Sequence, residues 1–255
     1  MSEIDIAEVR AWVREAGAHA RGYFNNVAAE RKADRSWVTR ADVEVEELLR
    51  ERIAARYPGH GVIGEEQGVG DMDSEYVWCL DPIDGTGAFV AGLGTWCVSV
   101  GVLRRGQPHM GVIFLPMLED CYWADAEGPA YRNDRPIAVS QATTIDSNDW
   151  IGVSSYAHRQ FRIEFRGKTR SLSSVAADCC YVARGSSVGA LIGRANLWDL
   201  AAGFALLRSA GAAVVGLSGA PVSVPDLLRI HKLPEPIVIA PPQLVETLRG
   251  SISRR

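Results

Sequence analysis

The sequence predicts a mixed chain of the α+β / α/β class, on three observations. Two helical patterns open it, a run of short β-rich segments follows, and beyond about residue 140 strands and helices alternate. With 255 residues, 47% hydrophobic and 23% charged, the chain has enough apolar material for one large domain or two small ones with a full core.

From Asp5 to Phe24 the apolar residues Ile6, Val9, Trp12, Val13 and Ala16 recur on one helical face. A second helix starts near Thr39 and runs to about Tyr57, before Pro58-Gly59, with Val45, Leu48, Leu49 and Ile53 inward. Segments 60–64, 76–81, 96–104, 109–115 and 120–125 read as strands, the last two joined by the turn Pro116-Met117-Leu118-Glu119. Beyond residue 140 come a strand (Trp150–Ser155), a helix (Val175–Ala183), a strand (Val188–Ile192) and a helix (Leu197–Ala210). A strand at Ala213–Leu217 and the pair Ile237–Ala240 and Gln243–Leu248 complete the alternation. The change of character near 135–150 divides the chain into 1–140 and 141–255, expected to form one catalytic unit with a site in the cleft between them.

Composition excludes several classes. A net charge of −4 argues against general nucleic-acid binding. No run reaches the roughly 18–20 apolar residues of a membrane span, and Met1-Ser2-Glu3-Ile4-Asp5 lacks the order of a signal peptide, so a cytoplasmic location is the expectation. The five cysteines include no Cys-x-x-Cys and read as reduced core residues.

Four acidic clusters sit at element ends: Thr39-Arg40-Ala41-Asp42, Gly64-Glu65-Glu66, Asp81-Pro82-Ile83-Asp84-Gly85-Thr86 and Trp198-Asp199-Leu200-Ala201-Ala202-Gly203. The third follows the apolar run Tyr76-Val77-Trp78-Cys79-Leu80, so a strand ends by offering two carboxylates, a glycine and a hydroxyl. Oxygen-only donors suit Mg²⁺, and no His-x-x-x-His or Cys-x-x-Cys competes for zinc. Singly, each cluster is commonplace: Asp at a helix start caps it, and Asp-Gly marks turns. Thr39 with Asp42 has the form of a capping box. Their combination in this order is harder to assign to capping.

These blocks, with Arg170-Ser171-Leu172-Ser173-Ser174 and Tyr181-Val182-Ala183-Arg184-Gly185, resemble the inositol monophosphatase family of metal-dependent, lithium-sensitive phosphatases, from about Ile6 to Leu248. The resemblance implies a layered α-β-α-β-α sandwich, a homodimer, and a small phosphorylated metabolite as substrate. It also implies that Glu65 and Asp81, with the carbonyl of Ile83, hold one Mg²⁺, and that Asp81, Asp84 and Asp199 hold a second. A third ion would reach Glu65 through water. Thr86 would contact the attacking water, with Asp42 polarising it, and the phosphate would lie on Asp84 and the amides of Gly85 and Thr86.

The substrate side departs from that pattern. Inositol-specific members carry a glutamate where this chain has Ile192, a small residue where it has Val175, and an aspartate where it has Val188. Gly87-Ala88-Phe89, Gly92 and Trp96 are more similar in spacing to the histidinol-phosphatase branch, which usually keeps the glutamate replaced by Ile192. The expected activity is therefore hydrolysis of a small polyol or amino-alcohol phosphate, with histidinol phosphate, nucleotide bisphosphate and fructose bisphosphate as alternative substrates. A relative that binds a phosphorylated ligand without catalysis is a further alternative. A haloacid-dehalogenase phosphatase needs Asp-x-Asp, whereas the spacing here is three. The basic stretch Arg159, Arg162, Arg166, Lys168, Arg170 reads as a solvated face, with attraction of a second phosphate as its functional reading.

Overall fold

The computed structural model describes residues 4–33 and 35–255. Helix α1 (Ile6–Tyr23) leads into a hairpin, β1 (Ala29–Arg31) and β2 (Trp37–Thr39), and then α2 (Arg40–Arg56). Next come β3 (Gly61–Gly64), β4 (Gly68–Val69), β5 (Tyr76–Asp84), the short α3 (Thr86–Val90), β6 (Cys97–Arg104), β7 (Gln107–Leu115) and β8 (Asp120–Ala124). A second hairpin, β9 (Ala130–Arg132) and β10 (Arg135–Ile137), precedes β11 (Trp150–Val153), α4 (Ala157–Gln160), β12 (Phe161–Ile163) and β13 (Lys168–Arg170). The chain continues through α5 (Val175–Ala183), β14 (Gly189–Ile192), α6 (Leu197–Ala210), β15 (Ala213–Gly216) and α7 (Val224–Ile230). It ends with β16 (Ile237–Ala240), α8 (Val245–Gly250) and β17 (Ile252–Arg254).

Two sheets organise these elements. An eight-stranded sheet runs β10-β9-β8-β7-β6-β5-β3-β4, and a five-stranded sheet runs β13-β11-β14-β16-β15. Alternation along β5 explains the layering. Trp78 and Leu80 face the core under α1 and α2, with Val13, Val45, Leu49 and Val100. Val77 and Cys79 face the opposite core, shared with α5 and α6. That second core continues through Ala190, Ile192 and Ile239 into the smaller sheet. The smaller sheet's other face buries Ile151, Val153, Leu191 and Val238 against Val245 and Leu248 of α8. The order is therefore helices, sheet, helices, sheet, helix, as the resemblance implied.

One close approach places α6. Gly101 of β6 lies opposite Gly111 of β7. A Cβ at Gly101 would sit 2.5 Å from the Ala202 nitrogen, and one at Gly111 would sit 2.4 Å from the Ala202 carbonyl oxygen. The helix thus lies directly on the sheet backbone, which no larger residue at either position permits. All five cysteines are buried and unpaired with one another, as their number and spacing suggested. Among the described residues no helix is long and apolar enough to cross a membrane.

Candidate active site

The end of β5 solves a parity problem. Side chains three apart on a regular strand point to opposite faces, so Asp81 and Asp84 could not share a site. Asp81 pairs with Ser99 but Asp84 pairs with Cys97, so three steps on β5 match two on β6. This bulge, in the Pro82-Ile83 step where proline lacks an N–H, returns Asp84 to the side of Asp81. Gly85 then adopts φ +91°, and its Cβ would lie 2.8 Å from the Ser173 carbonyl oxygen, so only glycine makes this turn into α3.

Three of the expected ligands converge. Carboxylate oxygens of Glu65, Asp81 and Asp199 lie within 4.8 Å of one another. They come from the turn after β3, the end of β5 and the first turn of α6. The Glu65 amide donates to the Leu80 carbonyl, which ties the first two strands at this level. Asp199 accepts the Asn196 amide at 2.7 Å, so it closes a capping box as well as facing the site. Asp81 is 1% exposed, and its Oδ1 is buried without a hydrogen-bond partner. Burial, then Glu65, Asp84, Asp199 and Asp42, push its pKa well up. Burial and Asp84 do the same to Asp199. An unpartnered buried oxygen among other carboxylates is costly for protein alone, and an oxygen-only donor set of this kind fits a hard divalent cation.

Asp84 lies beside this trio rather than within it. Its Oδ2 accepts from Ser174 Oγ at 2.7 Å and the Ala176 amide at 2.5 Å, and its Oδ1 accepts from the Val175 amide at 3.3 Å. The carboxylate so caps the positive end of α5. Burial still lifts its pKa to about 6, against the lowering by these donors. Thr86 Oγ1 is 3.3 Å from Asp42 Oδ1 and 3.1 Å from the Ile83 carbonyl oxygen. Asp42 serves twice: its Oδ2 accepts the Thr39 amide and hydroxyl, capping α2, while Oδ1 faces Thr86. It is fully buried, which raises its pKa to about 6.

Two positioning residues were missed by sequence reasoning. Glu46, fully buried one turn beyond Asp42, accepts the amides of Glu66 at 2.7 Å and Gln67 at 3.0 Å, and the Arg50 guanidinium at 2.8 Å. It is the mould for the Glu65 turn. Gly64 is required there, because its Cβ would sit 2.2 Å from Glu46 Oε1. The signal was present: Asp42, Glu46 and Arg50 form an i, i+4, i+8 stripe on one side of α2. Lys32, from the loop between β1 and β2, bonds Glu65 at 2.8 Å and Glu66 at 2.6 Å. Burial lifts the Glu66 pKa to about 7, and Lys32 opposes that shift. No local pattern in the sequence marks Lys32.

Val175 and Ile192, expected at the substrate, line a cavity of about 240 Å³ beside Ser173, Ser174 and Asp178. Val188 is buried with Ile151 and Leu191 and does not line that cavity. The cations of 159–170 are dispersed: Arg159 lies over Tyr156, Arg162 pairs with Glu164, Lys168 bonds Asn148, and Arg170 lies over Trp150. Arg159, Arg162, Arg166, Lys168 and Arg170 are all exposed.

Comparison with known proteins agrees with this geometry. A sequence model of the inositol monophosphatase family matches residues 1–244. A fructose-1,6-bisphosphatase/inositol-1-monophosphatase of Aquifex aeolicus is 32% identical over 213 residues, 80% of each chain. An inositol-1-monophosphatase of Bacillus subtilis is 31% identical over 233 residues, 85% of this chain and 87% of its own. In fold, an IMPase of Thermotoga maritima superposes with a TM-score of 0.85 at 23% identity, covering 96% of this chain and 95% of its own. A matched profile over nearly the whole chain, a shared layered fold and converging carboxylates lead to one conclusion: the chain belongs to the inositol monophosphatase family of phosphatases.

Proposed function

We propose that the protein is a Mg²⁺-dependent phosphomonoesterase acting on a small polyol or amino-alcohol phosphate. The observation that carries this reading is Asp81, buried with an unpartnered oxygen between Glu65 and Asp199. Glu65, Asp81 and Asp199, with Asp84 and the Ile83 carbonyl, would hold two or three cations. Such cations, when bound, lower the pKa of water and neutralise charge on the phosphate and the departing alkoxide.

The chain's own groups supply position. Thr86 Oγ1 donates toward Asp42 Oδ1 or the Ile83 carbonyl, which leaves its lone pairs to accept a hydrogen from the attacking water. The amides of Gly85 and Thr86, at the start of α3, would donate to phosphate oxygens. Asp84, held at the start of α5 by Ser174, lies near enough to Asp81 and Asp199 for its charge to raise both of their pKa values. The water oxygen bonds phosphorus, the ester P–O bond breaks, and inorganic phosphate and an alcohol are released. The homodimer rests on the resemblance alone, and sedimentation of the purified protein tests it.

Phosphate release from a panel of monoesters, with Mg²⁺ and with EDTA, is the direct test. Magnesium-dependent turnover of at least one small monoester is expected. No turnover of any of them would return the protein to the class of ligand-binding relatives.

A further inference from the structure

The cavity beside the acidic centre has one exposed charged side chain in its lining. Its floor is formed by Ser174, Val175 and Asp178 of the α5 start, directly behind the donors that hold Asp84. Asp178 is 5% exposed and packs against the backbone at Gly152, where a Cβ would meet its Oδ1 at 2.2 Å. Ile192 forms part of the wall and offers no polar atom. Two residues further on, Arg194 stands at the rim, exposed. Among the described residues no acidic side chain pairs with it.

Arg194 also lines a second, larger cleft of about 620 Å³, so it and Gly193 form the common lip of both spaces. That cleft is basic. Lys232, Arg254 and Arg255 line it with Arg194. Its one acid, Glu235, accepts the Ser218 amide at 2.9 Å and the Ser218 hydroxyl at 2.6 Å. Glu235 is also drawn to Arg254, so Arg194, at the lip of both spaces, is the positive charge beside the small cavity without an acidic partner among the described residues.

We propose that Arg194 is a specificity residue that reads an anionic substituent, a phosphate or a carboxylate, on the leaving group. The inference rests on the phosphomonoesterase reading and narrows it: the substrate is a monoester carrying a second negative group. Arginine suits this task, because its planar fork matches either oxyanion and keeps its charge.

The test is steady-state phosphate release with Mg²⁺ by wild type, Arg194→Gln and Arg194→Lys. The probes are fructose 1,6-bisphosphate (second phosphate), 2-phosphoglycerate (carboxylate), glycerol 2-phosphate (neutral) and phosphoethanolamine (cationic). Wild type should prefer at least one of the two anionic probes over glycerol 2-phosphate, and which one is preferred identifies the group read. Arg194→Gln should cut that preference roughly 10- to 100-fold, chiefly through KM, the loss expected for one charge-assisted contact. Arg194→Lys should restore part of it. The KM of the preferred anionic probe should also rise with ionic strength more steeply than that of glycerol 2-phosphate. Equal losses on all probes, or a wild-type preference for the neutral or cationic one, would overturn the role of Arg194 while leaving the phosphatase reading intact. Failure of wild type on every probe would overturn both.

Discussion

A buried carboxylate such as Asp81 is set against itself in the protein alone. Its neighbours raise the energy of its charged form, yet that charge is what a divalent cation requires. Asp81→Asn should therefore lower Mg²⁺-dependent turnover by roughly 10²–10³-fold, as loss of a central electrostatic group does. The same variant should melt at a higher temperature than wild type in EDTA, because a repulsive centre has been neutralised. A lower melting point in EDTA would show that Asp81 is structural. Glu46→Gln acts differently. It leaves the cluster's carboxylates in place but disturbs the mould of the Glu65 turn, and should cost about 1–3 kcal/mol of stability while weakening Mg²⁺ dependence. Denaturant melts and a Mg²⁺ titration of activity measure both effects. At this scale, Asp81, Asp84 and Asp199 were legible because they stand where apolar runs break off. Glu46 and Lys32 were not, because the burial of a charge is a tertiary event without a local signature.

Elements act as levers on these residues. Helix α6 delivers Asp199, and its height above the sheet is set by two absent side chains, at Gly101 and Gly111. Gly111→Ala should destabilise the fold by about 1–3 kcal/mol, as overpacking does. It should also reduce turnover, because α6 must move outward with Asp199. Gly22→Ala, in α1 with nothing within 4 Å of its added carbon, should be neutral or mildly stabilising. Urea melts and kcat for both variants decide the point, and equal effects from the two would sink it. The long helices and the meander were readable from periodicity, since each carries its own apolar face. The hairpin of β1 and β2 and the pair β12–β17 were not, because three-residue strands exist only through their partners.

For the molecule as a whole, the acidic centre couples folding to pH and to metal. Asp42 and Asp84 move from 3.8 to about 6, and Glu66 from 4.5 to about 7. With these pKa values raised, the folded chain holds more protons than the unfolded one through that range. Its stability therefore falls as pH rises through it. Glu44, lowered to about 2 by Tyr23, His19 and Arg40, acts oppositely, and its contribution fades only as the solution becomes more acid than its unfolded value of 4.5. The metal-free protein should thus lose melting temperature between roughly pH 5 and 7. Added Mg²⁺ should raise it more at pH 7 than at pH 5, since binding competes with protons. Scanning calorimetry in EDTA and in Mg²⁺ checks this, and an equal or absent Mg²⁺ effect at pH 7 would contradict it. The layer order was legible through the family resemblance, whereas the order of strands within each sheet had no reader in the linear pattern. One detail of that order reaches further. Because Asp84 regains its side of the sheet only through the extra residue between it and Asp81, a deletion there would swing the second aspartate toward the core under α1 and α2, into hydrocarbon. Along this stretch the count of residues is the stringent quantity. A conservative exchange of Pro82 should be survivable, whereas a chain one residue shorter should retain both acids and yet do nothing.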